Sequence, residues 1–311
     1  MLSRCVPCFY YPTKVLFVDD NSNYLNNIVL TLDKKIRAET SLDPKKIANE
    51  LMDKKDFCFY SQYLNGYEEV ETSDGLSCRA VGVNFSKIQQ AISLPQKNNQ
   101  VSVLLVDYAM PGMDGVSFFK LLKNSPIKKV MVTGEADYNI AVTAFNEGII
   151  DRFIVKDDPD FFNKINNTIF EMQKKYFQEM SSALIGNLNA NSQFSLTDSL
   201  VHDFIYRLID EKKIVEFYLV DESGSLLLRD ETGRFSWLVI KTEKEMLDYH
   251  DVANEFGGAS TITNQLKEKK VIPFFVTEED WRIPVDQWGP YLHPASCLKG
   301  CETYYYAVVE K

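Results

Sequence analysis

No apolar stretch in this sequence approaches the roughly 18 residues that a bilayer-spanning helix needs. Its opening residues also lack a basic-then-apolar secretory leader. The chain is therefore expected to work in the cytoplasm. Cysteine is too sparse for a disulfide framework. Cys5, Cys8, Cys58, Cys78, Cys297 and Cys301 are spread over 311 positions and suit a reducing compartment. Positive charge is short as well. The formal net charge is -10, and from Ser195 onward 13 Lys and Arg face 21 Asp and Glu. A surface that grips nucleic acid needs a basic stripe against the phosphates, so a DNA-binding C-terminal half is disfavoured. Histidine is rare too. With three in the chain, the His202-Asp203 pair cannot build a two-metal hydrolase site and reads as a helix-surface pair.

What the chain does have is the composition of a soluble globular protein, 45% hydrophobic and 25% charged, and a length that suits two domains. Four short apolar runs have the length and β-branched content of buried strands: Lys14–Val18, Val101–Val106, Lys129–Val132 and Arg152–Val155. A further strand fits at about Ile36–Thr40. Helical spacing lies between the strands, at Ser22–Leu32, Val116–Leu122 and Asn139–Phe145, the last closed by Gly148. This alternation predicts an α/β fold with a doubly wound, parallel, five-stranded sheet over residues 13–160. Residues 54–99 read as an insertion, with a helix at Asn84–Ile92.

Apolar residues then recur every three or four positions from Phe162 to Leu188, which predicts a long helix and linker over 161–194. That helix could be a dimer seam, or could pack against both domains. From Leu196 a helix capped by Thr197 is followed by three strands: Val215–Val220, Leu226–Arg229 and Ser236–Lys241. Helices at Glu243–Glu255 and Thr261–Lys270 and strands at Val271–Val276 and Tyr304–Val309 complete an α+β domain over 195–311.

The polar residues fall in a telling place. Asp19, Asp20, Asp107, Thr133 and Lys156 each follow the last apolar residue of a strand. In an open parallel sheet the carboxyl ends of strands form the functional crevice, so these five side chains converge. Two carboxylates about 4 Å apart repel by roughly 4 kcal/mol at an effective dielectric of 20. A hard divalent cation such as Mg²⁺ relieves that repulsion while keeping waters and phosphate oxygens as ligands. Asp107 then becomes a nucleophile toward phosphorus, forming an acyl phosphate. Thr133 can donate a hydrogen bond to a phosphoryl oxygen, and Lys156 can pair with another as a point charge.

The segments VDD (Val18–Asp20), DYAMPGMDG (Asp107–Gly115), VTG (Val132–Gly134) and IVK (Ile154–Lys156) together resemble the flavodoxin-like receiver domain of bacterial two-component response regulators. The resemblance covers roughly residues 13–180 apart from the insertion. It implies phosphotransfer from a histidine kinase or phosphotransfer protein to Asp107. It also implies Mg²⁺ held by Asp19, Asp20, Asp107 and the backbone carbonyl of Ala109. Phe153 matches the family's aromatic switch position, with plain core packing as the alternative. Ala109 and Glu135 match positions that tune self-dephosphorylation. One departure is Asp157, where the family usually has proline. GEADYNIAVTAFNEGIIDRFIVK (Gly134–Lys156), FYLVDESGSLLL (Phe217–Leu228) and VIPFFV (Val271–Val276) are similar to response regulators of the Lqs quorum-sensing type. That group implies a phosphorylation-driven homodimer and an output domain without a helix-turn-helix.

Other signals are weaker. Cys5 and Cys8 have redox or zinc spacing but no second pair nearby. His293, Cys297 and Cys301 could line a helix face as metal ligands, against which Pro294 and Gly300 speak. Gly257-Gly258 before a helix could cradle a phosphate or simply break the chain. The output half is thus expected to bind a protein, itself or a small ligand; the rival readings are an enzyme acting on nucleotides and a transcriptional regulator. Because Ala109 cannot orient an attacking water, a phosphoaspartate at Asp107 should decay slowly. A phosphoprotein half-life of only seconds in a gel-shift decay assay would contradict this.

Overall fold

The apolar runs become strands because their side chains are buried on both faces of a sheet, where β-branched residues pack well. The computed structural model describes residues 5–53, 63–71, 77–94, 97, 99–134, 137–189, 195–276, 280 and 282–310. The chain opens with β1 (Phe9–Tyr10), β2 (Lys14–Val18), α1 (Ser22–Thr31), β3 (Arg37–Ser41) and α2 (Pro44–Asp53). Next come β4 (Leu64–Glu71), β5 (Ser77–Val83), α3 (Phe85–Gln90), β6 (Val101–Asp107), α4 (Gly115–Leu121), β7 (Lys128–Thr133), α5 (Tyr138–Asn146), β8 (Arg152–Val155) and α6 (Phe161–Asn189). The remainder is α7 (Ser199–Glu211), β9 (Ile214–Leu219), β10 (Leu226–Asp230), β11 (Phe235–Thr242), α8 (Glu243–Glu255), α9 (Ser260–Lys267), β12 (Val271–Pro273), β13 (Leu292–Pro294), β14 (Ser296–Lys299) and β15 (Thr303–Glu310).

Two compact units result. One takes Tyr11–Gln62 and Ser93–Ala183; the other takes the residues up to Tyr10, Tyr63–Ile92 and Leu184–Lys311. The first is a five-stranded parallel sheet in the order β3-β2-β6-β7-β8. Leu25 and Ile28 of α1 and Ile165, Ile169 and Met172 of α6 bury one face of that sheet. Ile47 of α2, Phe118 and Phe119 of α4 and Ala141 of α5 bury the other. Strand order reverses between β2 and β6, so the loops beyond their carboxyl ends part there and leave a crevice. Side-chain caps start these helices: Asn21 accepts from Tyr24 N, and Asp114 accepts from Ser117 N. Gly148, at φ 68°, ends α5 in the left-handed conformation that glycine tolerates.

The apolar stripe of α6 is buried along its length, with Ile165, Ile169, Met172, Tyr176, Met180 and Leu184 all shielded. The helix also runs past Gly186 to Asn189, so the expected linker begins later.

The second unit is built on an antiparallel sheet in the order β1-β9-β10-β11-β15-β14. The β4–β5 hairpin and α3, from the stretch read as an insertion, cluster with this unit, where α3 contacts β9. Thr242 and Glu245 form a reciprocal capping box at the start of α8. Several expectations need correcting. Asp198, not Thr197, caps α7, because its carboxylate accepts from Leu200 N. α9 ends at Lys267 rather than Lys270, where Lys269 takes φ 54° and the chain turns out of the helix. The strand expected over Val271–Val276 stops at Pro273, since its pairing with Leu292–Pro294 ends there. His293 and Cys297 lie on separate strands, β13 and β14, so they share no helix face with Cys301.

Ile165 is fully buried between α6 and the parallel sheet. Ile165→Ala is expected to destabilise the protein by about 2–5 kcal/mol through lost transfer energy and a residual cavity. Urea denaturation monitored by circular dichroism would measure it; a loss below about 1 kcal/mol would contradict the packing described.

Candidate functional site

The parallel sheet delivers its polar residues to one edge. Asp19 follows β2, Asp107 ends β6, Thr133 ends β7 and Lys156 follows β8. Strand register keeps them level: Val18 pairs with Val106, Asp107 with Val132, and Thr133 with Val155. The tight turn after Asp107 requires Gly115, since a Cβ there would lie 2.6 Å from the Asp107 carbonyl oxygen. Asp19, Asp107 and Thr133 are buried, while Asp20 faces solvent.

Lys156 ties the pocket together. Its Nζ lies 2.8 Å from Asp19 Oδ2 and 3.0 Å from Asp107 Oδ1. Asp19 Oδ1 meanwhile accepts from Asn21 N at 2.8 Å, so both of its oxygens are oriented. Carboxylate oxygens of Asp19, Asp20 and Asp107 lie within 4.8 Å of one another. One ammonium against three carboxylates leaves an excess of negative charge in a partly desolvated space. The titration behaviour follows. Burial raises the Asp107 carboxyl, the charge of Asp19 raises it further, and Lys156 only partly offsets them. Burial alone would pull the Lys156 ammonium down, but the two carboxylates outweigh it and hold the group up.

Among the described residues these three aspartates are the group of His, Cys, Asp and Glu side chains positioned to hold a metal ion together. Their chemistry fits a hard divalent cation, which takes oxygen donors and retains waters on its exposed side. Thr133 Oγ1 is buried and engages the Gly134 carbonyl at 3.3 Å.

Phe153 is half-buried on β8, with its ring edge-on to Tyr138 at 5.4 Å and Phe145 at 6.4 Å. Ala109 is exposed in the turn after β6. Glu135 lies outside the described residues. Cys5 and Cys8 are buried. Gly258 packs against Val285 and the Ala253 carbonyl, so the Gly257-Gly258 pair closes α8 rather than cradling a phosphate. His202, expected on a helix surface, is instead buried, with Nδ1 2.9 Å from Asp203 Oδ1.

Sequence reasoning missed Tyr24. This residue sits in the first turn of α1, and the Lys156 ammonium lies 4.4 Å from its ring centroid. Its phenol oxygen is buried without a hydrogen-bond partner. Burial first, then the charges of Asp19 and Asp107, push that phenol up.

Comparison with known proteins agrees with the geometry. The family model "Response regulator receiver domain" matches residues 70–173, a span that contains Asp107, Thr133 and Lys156 and begins after Asp19 and Asp20. The structure of the Legionella pneumophila response regulator LqsR is similar at 32% identity and a TM-score of 0.79, covering 99% of this chain and 90% of that one. A "DNA-binding transcriptional regulator NtrC" from Proteus hauseri is 31% identical over 86 residues, which is 27% of this chain and 17% of that protein's length. This chain thus spans a small fraction of that curated relative.

The raised Asp107 carboxyl has a consequence for stability. Ionised Asp107 is disfavoured by folding, so the group's contribution is fully present below the unfolded carboxylate pKa and is lost as pH rises through the raised folded one. Asp107→Asn should therefore melt at a higher temperature than the wild type at pH 7 without divalent cations. The gap should close as the pH falls into the carboxylate range. A lower melting temperature for the variant at pH 7 would contradict the assignment.

Proposed function

The chain belongs to the response regulators, the family in which Legionella pneumophila LqsR is found, and from that membership we propose that Asp107 accepts a phosphoryl group from a histidine kinase or phosphotransfer protein. The observation that carries this reading is the Lys156 bridge between two buried aspartates at the sheet's carboxyl edge.

Lys156 engages Oδ1 of Asp107 and leaves Oδ2 as the nucleophile. The new bond from Oδ2 to phosphorus forms as the P–N bond of the donor phosphohistidine breaks, and its electron pair returns to the imidazole. Lys156 then exchanges its Asp107 contact for a phosphoryl oxygen, so that positive charge follows the charge being transferred. Thr133 turns its hydroxyl from the Gly134 carbonyl to donate to a second phosphoryl oxygen. Asp19, Asp20, Asp107 and the Ala109 carbonyl are the groups that would hold Mg²⁺, which would supply charge neutralisation to the phosphoryl oxygens. The exposure of Asp20 supports an approach from solvent on that side.

Phosphorylation adds about -1.5 to -2 charges at Asp107. Phe153 reports that change by leaving its present half-buried seat against Tyr138 and Phe145, two aromatics that are themselves exposed enough to yield. The parallel-sheet unit is the receiver and the antiparallel unit is the output, including the Tyr63–Ile92 segment. With its acidic charge the output acts through a protein partner or a second copy of the chain rather than through DNA. Among the described residues no helix is long and apolar enough to cross a membrane.

The test is labelling by acetyl phosphate with Mg²⁺, read on phosphate-affinity gels, with light scattering before and after. The wild type should be labelled and should double its mass. Asp107→Asn should take no label, and Lys156→Ala should slow labelling about 100-fold, as expected for loss of a donor to the transferring group. Labelling of Asp107→Asn at the wild-type rate would overturn the phosphoacceptor assignment. An unchanged mass would overturn regulated dimerisation alone.

A further inference from the structure

The Tyr24 hydroxyl is a buried donor with nothing to donate to. Such a group costs free energy unless something satisfies it in another state. Its surroundings restrict what that could be. The ring lies under the Lys156 ammonium at 4.4 Å, and Lys156 in turn contacts Asp19 and Asp107. The charges of both aspartates are felt at the phenol. Tyr24 is also held in place, because its backbone N–H donates to the Asn21 cap and its ring tilts against Phe161 at 6.5 Å. The ring is therefore fixed on a helical turn beside the lysine that bridges the two aspartates, and its hydroxyl is buried there without a partner.

We propose that Tyr24 is a positioning residue of the Asp107 site: its ring face steers the Lys156 ammonium, and its hydroxyl forms a hydrogen bond with an oxygen that enters when the pocket is loaded. This rests on the reading of Asp107 as phosphoacceptor. The incoming oxygen is either a phosphoryl oxygen, which accepts from the phenol, or a water of the divalent cation, whose polarised O–H donates to the phenol oxygen. The ring does a second job. An ammonium over an aromatic face is attracted by the ring quadrupole, which limits the positions Lys156 takes while it exchanges a carboxylate partner for a phosphoryl one.

Two variants separate the two roles. Tyr24→Phe keeps the ring over Lys156 and removes only the hydroxyl, whereas Tyr24→Leu removes both. Each full-length protein is compared with the wild type by calorimetric titration with Mg²⁺ alone and by the limiting rate of labelling at saturating Mg²⁺ and acetyl phosphate. Losing a hydrogen bond to a charged or polarised partner should cost Tyr24→Phe about tenfold in one of these two quantities, with its melting temperature unchanged. If Mg²⁺ affinity falls, the partner is a metal-bound water. If Mg²⁺ affinity holds and the limiting rate falls, it is a phosphoryl oxygen. Tyr24→Leu should lose further rate beyond Tyr24→Phe, which measures the ring. A Tyr24→Phe protein matching the wild type in both measurements overturns the hydroxyl's role, and Tyr24→Leu matching Tyr24→Phe overturns the ring's. Wild-type protein that takes no label at all sinks the phosphoacceptor reading itself, a different result from a labelled wild type with silent Tyr24 variants.

Discussion

Three carboxylates and one ammonium share a partly desolvated space at the carboxyl edge of the parallel sheet, and Lys156 lies within 3.0 Å of two of the carboxylates. Taken alone, gathered acids repel and should open the pocket. The lysine offsets part of that repulsion, and the sheet supplies the rest of the restraint. Asp107 ends a strand buried on both faces, and its turn is pinned by the close approach of Gly115. The excess of negative charge that remains suits a hard divalent cation.

The fold matters chiefly for the precision of that arrangement. Parallel pairing sets β2, β6, β7 and β8 in register, so four separate segments of sequence place polar side chains at one level. Helices on both faces then fix the strands by burial: α1 and α6 on one side, and α2, α4 and α5 on the other. α1 has a further role. The helix that covers the sheet also carries Tyr24, so packing and the electrostatic environment of Lys156 are set by the same element.

Much of this was legible from residue order alone. The strand ends and their polar successors announced the cluster because a parallel sheet converts a repeated local pattern, apolar run then acid, threonine or lysine, into proximity. α8 was read to its observed bounds, with the Gly257-Gly258 break marking its end. Elements that depend on partners were not legible. β1 is two residues long and exists through its pairing with β9. β13 and β14 lie between Pro and Gly residues that mask strand character, and pairing with β12 and β15 alone defines them. His202 looked like a surface residue beside Asp203, yet the register of α7 turns its ring inward against Tyr206. Tyr24 escaped notice for a similar reason. In sequence it is one more aromatic on an amphipathic helix, and only tertiary placement brings Lys156, 132 positions later in the chain, over its ring.

The central claim is that Asp107, among all the carboxylates of this acidic chain, is the one made nucleophilic by its surroundings. Borohydride reduces an acyl phosphate to the alcohol and leaves free carboxylates untouched, so it marks the phosphorylated residue chemically. Protein treated with acetyl phosphate and Mg²⁺, reduced with borohydride and mapped by peptide mass spectrometry should carry homoserine at position 107 and aspartate at positions 19 and 20. Homoserine at another position, with Asp107 intact, would contradict the account.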